Sequence, residues 1–330
     1  MKRPTINDVA NRAGVSKSTV SHALSNKRPI SEKTRQRIQQ TIEEIGYRPN
    51  PSAKRLASRE KSKNIGFVLP VQSAGISGLE MKFIVGAAKE INKAGYTFVL
   101  LAHTDRNPEN MLRFAQNGVV DGFILMEVLL QDDRVEFLKQ EGIPFVMVGR
   151  CEDTTGLTYV DMDIKRAIEI CFQNFAEKGH RSIAYLHKDD DQFGLAVRSI
   201  QEFHTACDRY KLKHILNPCL PTIEDGRAVM DDLFYKHPDL NAVFIWNEVS
   251  ALGAVQAIKS RGFRIPEDFS IISLETTVLS NLAPFTPNLL DIRAEEVSSQ
   301  AAKLLIANLE DQPVEQSQIL IPPKIIMGTY

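Results

Sequence analysis

The chain has 330 residues, 43 % hydrophobic and 25 % charged, with a formal net charge of −1. That length exceeds one ordinary core and predicts two or three domains, and the balanced composition excludes a disordered chain or a fibre. Residues 1–63 hold fifteen Lys and Arg against five Asp and Glu, a head of +10, and the remainder holds twenty-five against thirty-six, a body of −11. A basic head on an acidic body is the charge footprint of a nucleic-acid-binding module attached to a second function.

Residues 1–46 predict three short helices. Thr5 caps the first, with Asp8 three residues later and Ile6, Val9, Ala10 and Ala13 at helical spacing. Gly14 stops it, because glycine accepts the left-handed conformation at a helix end. Ser16 caps a second helix whose inner face is Val20, Ala23 and Leu24. A loop follows at 26–29. Ser31 then caps a third helix, carried inward by Ile38, Ile42 and Ile45 and closed by Gly46. This is the pattern of a helix-turn-helix DNA-binding domain.

Residues 47–63 predict a hinge or linker. Tyr47-Arg48-Pro49-Asn50-Pro51 breaks the chain, and the basic segment 52–58 is helix-capable yet too short to be a stable helix alone. It is expected to order only against a partner.

Residues 64–330 alternate strand and helix. Apolar strands are predicted at Ile65–Leu69, Tyr96–Ala102, Gly122–Met126, Pro144–Val148, Ser182–Leu186, Ala242–Trp246 and Phe269–Leu274. Amphipathic helices include Leu79–Ala94, Ile164–Lys178 and Val249–Arg261. The alternation predicts an α/β body of doubly wound parallel sheets covered by helices on both faces, and its length suits two lobes better than one.

Other classes are excluded by what the residues lack. Cys151, Cys171, Cys207 and Cys219 have no metal spacing and read as reduced thiols, so no metal and no cofactor are expected. Met1-Lys2-Arg3 is not followed by an apolar export segment, and no run reaches the ~18 residues of a membrane span, so a cytoplasmic protein without a membrane partner is expected. No GxSxG, HExxH, GxGxxG after a strand or GxxxxGK[ST] occurs, and His180, His204 and His214 have no readable relay; catalysis is not expected.

Thr5-Ile6-x-Asp8-Val9-Ala10-x-x-Ala13-Gly14-Val15-Ser16-x-x-Thr19-Val20-Ser21 resembles the signature of the lactose-repressor family of bacterial transcriptional regulators. The likeness continues through Gly46-Tyr47-x-Pro49-Asn50, Ala53-x-x-Leu56, Asp121-Gly122-Phe123-Ile124, Gly179-His180-Arg181 and Ile265-Pro266-Glu267-Asp268, covering essentially the whole chain in order. The resemblance implies a homodimer or dimer of dimers, binding a near-palindromic double-stranded operator. It also implies a body shaped like a periplasmic binding protein, with a small-molecule effector, a sugar or sugar derivative, held between lobes. The lobes would be about 64–161 plus 291–320 and about 162–290 plus 321–330, joined by three crossovers. The chain runs only a few residues past its last predicted strand and carries no leucine-heptad tail, which favours a dimer.

By position in the family pattern, Lys17, Ser18 and His22 are the base readers, at the start of a helix lying in the major groove. His22 departs from the Arg of most relatives and lacks that residue's bidentate fork. Thr5, Ser16, Thr19, Ser21, Ser25, Ser31, Thr34 and Tyr47 carry hydroxyls for phosphate contacts, with Ser25 standing where relatives carry Asn. Asn50, Ala53, Lys54 and Leu56 form the implied minor-groove hinge, Leu56 as the wedge between central base pairs.

Effector candidates follow the strands, because ligands of doubly wound sheets gather at strand carboxyl ends. They are Gln72, Arg150, Phe193, Arg198, Trp246, Asn247 and Glu275. Arg150, Asn247 and Glu275 would answer vicinal hydroxyls, and Trp246 or Phe193 a sugar's CH face. Three departures from relatives put the sugar's identity in question: Asn247-Glu248 for Asn-Asp, Glu275-Thr276 for Asp-Asp, and Ser199 where an Arg falls, with Arg198 one residue away. A protein co-regulator and a nucleobase effector stay open as alternatives, as do induction and corepression.

Overall fold

The computed structural model describes residues 4–25, 29–47, 61–71, 76–103, 106–274 and 288–328, and by backbone proximity it divides into a head and a body. In the head, α1 (Ile6–Ala13), α2 (Lys17–Ser25) and α3 (Glu32–Ile45) pack around Val9, Ala10, Ala13, Val20 and Ile38, all 5 % exposed or less. Gly14 (φ 61°) and Gly46 (φ 64°) close α1 and α3 in the left-handed region, and their N–H groups return to carbonyls of the last turn. The turn between α1 and α2 is therefore fixed by glycine, with Val15 and Ala23 packed beneath it.

The body holds two sheets of one design. The strands of the first are β1 (Asn64–Pro70), β2 (Thr97–His103), β3 (Gly122–Leu125), β4 (Phe145–Val148), β5 (Tyr159–Met162) and β11 (Gln318–Ile321), in the order β11-β5-β4-β3-β1-β2, all parallel. Those of the second are β6 (Ser182–His187), β7 (Lys213–Pro218), β8 (Ala242–Ile245), β9 (Ser270–Leu274), β10 (Asn288–Asp291) and β12 (Lys324–Ile326). Their order is β12-β10-β9-β8-β6-β7, and only β12 runs antiparallel. Each sheet reverses its winding direction beside its first strand, β1 or β6, which opens a crevice at the strand carboxyl ends.

Helices cover both faces, so the central strands read as continuous apolar runs; β8 (Ala-Val-Phe-Ile) and β9 are buried throughout. In the first lobe α4 (Gly78–Lys93) lies against α11 (Ala294–Leu309), and α5 (Pro108–Gln116) neighbours α6 (Asp133–Gln140). In the second, α7 (Ile164–Glu177) and α8 (Gly194–Tyr210) bring Phe172, Phe175 and Phe203 to one face of the sheet. On the other face α9 (Ile223–Lys236) and α10 (Glu248–Ser260) bring Met230, Leu233, Phe234 and Ile258. Both helix pairs depend on glycine at the closest approach. A Cβ on Gly86 would meet the Glu295 carbonyl, and one on Gly253 would meet that of Ile223.

The chain passes between the sheets three times: from β5 into α7, from β10 into α11, and from β11 into β12. These passages are tied together. The Asp163 N–H donates to the Ile321 carbonyl at 3.0 Å, and Arg293, itself at φ 57°, donates to the Pro322 carbonyl at 3.3 Å.

Candidate nucleic-acid interface and ligand cleft

Helix α2 presents two faces. Val20, Ala23 and Leu24 turn toward the head's core, and the 100° step of a helix places Ser18 and His22 on the opposite side, with Ser21 on the flank and Lys17 in the exposed first turn. Lys17, Ser18 and Ser21 are exposed and His22 is half-buried. Ser16 caps the helix: its Oγ accepts the Thr19 N–H at 3.1 Å and lies 2.7 Å from Ser18 Oγ and 2.8 Å from Thr19 Oγ1. Three hydroxyls thus cluster at the positive end of the helix dipole.

The other hydroxyls divide by partner. Thr5 donates from both N–H and Oγ1 to the Asp8 carboxylate at 2.7 Å, so its hydroxyl is held in a capping box. Ser31 caps α3 through the Thr34 N–H (3.3 Å) and meets Thr34 Oγ1 at 2.8 Å. Tyr47 packs half-buried on the head's core, where burial raises its phenol above the ordinary range. Ser25 closes α2 in backbone terms. Asn50, Ala53, Lys54, Leu56, Gln72 and Glu275 lie outside the described residues.

The body contains a cavity of ≈ 590 Å³ at the carboxyl ends of both sheets, within the ~300–1,000 Å³ range of small-ligand sites. The first lobe contributes Met126, Glu127 and Val128 after β3, Val148 and Gly149 at β4, and Asp161 at β5. The second contributes Lys188, Asp189 and Asp190 after β6, Cys219 and Leu220 after β7, and Trp246 and Asn247 after β8. The starts of α4, α8 and α9 complete the wall with Glu80, Phe193 and Asp225.

Trp246 and Phe193 meet edge to face, 6.3 Å between centroids at 87°. Phe193 is held by Asp190, whose Oδ1 accepts the Phe193 N–H at 2.9 Å. Asn247 caps α10: its Oδ1 accepts the Val249 and Ser250 N–H groups at 2.8 and 3.4 Å. Its amide oxygen is thereby engaged, which leaves the NH₂ as the group Asn247 offers the cavity.

The two predicted arginines take another place. Neither Arg150 nor Arg198 lines the cavity. Arg150 Nε lies 3.5 Å from Asp161, and Arg198 reaches Asp161 at 3.4 Å and the Arg150 carbonyl at 3.0 Å. Asp161 is 2 % exposed; burial pushes its carboxyl upward, against the pull of Arg198 and Arg150. Ser199, the position at which the family resemblance implies an Arg, is fully buried, donating to the Ala196 carbonyl (2.7 Å) and meeting the Tyr185 hydroxyl (2.8 Å). One residue of helical rotation decides which side chain faces the wall.

The cross-lobe acids and Lys188 escaped sequence reasoning. Glu127 sits at φ 49°, a left-handed position that a non-glycine residue seldom adopts. Its carboxylate lies 3.3 Å from Arg106 and 3.9 Å from Lys188 of the opposite lobe, and Lys188 Nζ stands 4.5 Å from the Phe193 ring centroid. Burial raises the Glu127 carboxyl, while Lys188 and Arg106 draw it down. Behind it Asp132 accepts from the fully buried Arg134 at 2.6 Å and fixes the loop. The backbone closes the same side: Leu130 N–H donates to the Gln192 carbonyl (2.8 Å) and Gly194 N–H to that of Val128 (3.1 Å). The only signal for this pair in the sequence is charge just after a strand.

Among the described residues no cluster of three metal-ligating side chains occurs, and no helix is long and apolar enough to cross a membrane.

A three-helix head with a helix-turn-helix and a two-lobed body with a cavity at the strand ends define a DNA-binding regulator built on a periplasmic-binding-protein-like scaffold. Comparison with known proteins agrees. Residues 5–50 match the model for bacterial regulatory proteins of the lacI family, and residues 172–329 match the periplasmic binding protein-like domain. The chain is 30 % identical over 321 residues to the HTH-type transcriptional regulator AglR of Rhizobium meliloti (strain 1021), covering 93 % of this chain and 88 % of AglR. The chain belongs to the lacI family of transcriptional regulators. Two solved structures share the fold: a CelR–cellobiose complex (TM-score 0.73, 22 % identity, 99 % of each chain) and a lac repressor dimer bound to operator and the anti-inducer ONPF (TM-score 0.75, 20 % identity, 99 % of each chain).

Proposed function

We propose that the protein is a non-enzymatic repressor that binds a near-palindromic operator as a homodimer in the cytoplasm, with affinity set by a small molecule in the interlobe cavity, a carbohydrate or a derivative of one. The observation that carries the effector reading is the cavity itself: ≈ 590 Å³, walled by both lobes, with Trp246 and Phe193 as ring surfaces and Asn247 as a donor. A ligand touching both lobes changes their relative geometry, and the hinge at 47–63 transmits that change to the heads. The CelR complex with cellobiose and the lac repressor dimer on its operator support the reading by likeness of fold.

On the head, Lys17, Ser18 and His22 read base edges, and the hydroxyls of Ser16, Thr19, Ser21, Ser31 and Thr34 set the register on phosphate. Leu56, with Asn50, Ala53 and Lys54, opens the minor groove at the operator's centre.

The test has two stages. Full-length protein selects its site from a random duplex pool, and a two-fold related sequence is expected. A thermal-shift screen of sugars, sugar phosphates, nucleobases and nucleosides then finds the effector, which at ~100 times its Kd stabilises the fold by about 2.7 kcal/mol. A hit that leaves operator affinity unchanged removes the allosteric reading, and an asymmetric selected site removes the dimer.

A further inference from the structure

The cavity fixes where an effector sits; its charges decide which effector enters. Six carboxylates line it, from Glu80, Glu127, Asp161, Asp189, Asp190 and Asp225, against the single ammonium of Lys188. Asp161 is answered from behind the wall by Arg150 and Arg198, and Glu127 by Arg106 and Lys188. Among the described residues no ion pair reaches Glu80, Asp189 or Asp225.

A cleft ringed by helix starts would ordinarily favour an anion. Here three of those starts are answered from within, and that of α8 carries no side-chain cap. Ser77 and Glu80 cap α4 reciprocally, Thr222 Oγ1 accepts the Asp225 N–H at 3.2 Å at the start of α9, and Asn247 caps α10. The chain also displays the preferred occupant on a tether. Lys188 Nζ lies 3.5 Å from Asp190, 3.9 Å from Glu127 and 4.5 Å from the Phe193 ring centroid. Carboxylates with an aromatic face form the environment that recognises an ammonium group. Glu80 and Asp225 accept the Ser77 and Leu220 N–H groups and Asp189 is exposed, so none of the three has a cationic partner among the described residues; a neutral polyol would cover them without supplying one, and an anion would add repulsion.

We propose that the effector is an organic cation, a protonated amine on a ring or apolar body, and that the cleft excludes phosphorylated and carboxylated molecules. This rests on the reading of the cavity as the effector site.

Cys219 supplies a test independent of the effector's identity. It lines the cavity half-buried, whereas Cys151, Cys171 and Cys207 are buried. Full-length protein is labelled with two methanethiosulfonates that differ in charge, one trimethylammonioethyl and one sulfonatoethyl, with Cys219→Ser identifying the site. Burial and Asp225 push the Cys219 thiol up to about 12, so both reactions are followed near about pH 9, and only their ratio is read. Relative to free 2-mercaptoethanol, the cation is expected to gain at least about tenfold over the anion. That gain should shrink in a Glu80→Gln, Asp189→Asn double variant and in about 1 M salt. A ratio no higher than that of 2-mercaptoethanol overturns the proposal.

The ligand arm uses matched sets in a thermal shift: glucosamine, galactosamine and putrescine; glucose, galactose and 1,4-butanediol; glucose 6-phosphate, galacturonate and succinate. Stabilisation led by the amines is expected. Stabilisation led by neutral or anionic members overturns the cation proposal and leaves the effector reading standing. No stabilisation in any arm, with the labelling ratio intact, removes the effector reading and this proposal with it.

Discussion

The Arg198 guanidinium, carried by α8 of the second lobe, lies 3.4 Å from the Asp161 carboxylate at the end of β5 in the first, and only 3 % of the Asp161 side chain is exposed. Removing one member of a buried pair leaves the other uncompensated, which typically destabilises by ~3–5 kcal/mol. Arg150 still faces Asp161, so Arg198→Ala is expected at the lower end, about 3 kcal/mol. Urea melts of the variant, of Asp161→Asn and of the double variant check this. Additive losses would show that the two side chains are not coupled across the lobes.

Glu127 sets a pH dependence. Burial raises its folded pKa above the unfolded value, Lys188 and Arg106 opposing. The folded chain therefore holds this proton to higher pH than the unfolded chain, and its contribution to stability falls as pH rises from the unfolded value through the raised one. Glu127→Gln removes the titration. Between about pH 4 and 7 the stability difference should move steadily in the variant's favour. A difference independent of pH would mean that Lys188 and Arg106 cancel the effect of burial.

Trp246 is the only tryptophan in the chain and lines the cavity. Its emission is expected to change on saturation with any effector, with no label added. Phe193→Ala removes its edge-to-face partner and should weaken effector binding about tenfold, the loss that corresponds to an aromatic pair. Equal affinity in the variant would place the ligand away from this wall.

Gly253 tests the packing of the second lobe. A Cβ there would enter the Ile223 carbonyl and stand 2.8 Å from the Arg227 nitrogen, both backbone atoms that cannot rotate aside. Gly253→Ala should destabilise by about 1–3 kcal/mol despite its better helix propensity. A stabilised variant would show that α9 and α10 can separate freely.

Lys17 and Ser16 should separate recognition from folding. Lys17 is exposed, so Lys17→Ala should leave the head's melting unchanged while weakening selected operator by ~1–3 kcal/mol and relaxing one base pair. Ser16→Ala removes a helix cap and should cost about 1 kcal/mol of stability as well as affinity. A uniform loss across sequences for Lys17→Ala would make it a phosphate contact.

The strands legible in the sequence were those with an unbroken apolar run, the edge strand β2 included. Such runs placed β1, β2, β3, β4, β6, β8 and β9 to within a residue or two of the observed bounds. The strands that left no such run are β5, interrupted by Asp161, and β7, an edge strand reading Lys-His-Ile-Leu-Asn-Pro. The short β10, β11 and β12 were equally faint, since their pairing is set by distant segments. Trp246, Asn247 and Phe193 were found because each follows a strand or opens a helix. Arg150 and Arg198 look like ligand residues by type, and only the buried Asp161 explains why they turn to the wall. Nothing local marks Glu127 and Lys188, 61 positions apart, as neighbours.

The three passages between the lobes carry a consequence for synthesis. The first sheet does not receive β11 until residues 318–321 are made, after every strand of the second sheet but β12. A domain generally folds as a unit once its chain has left the ribosome. The head is complete by residue 47, while the first sheet waits for residues 318–321 and the second for 324–326. A chain cut short before residue 318 would therefore carry a finished DNA-reading head and an unfinished sensor.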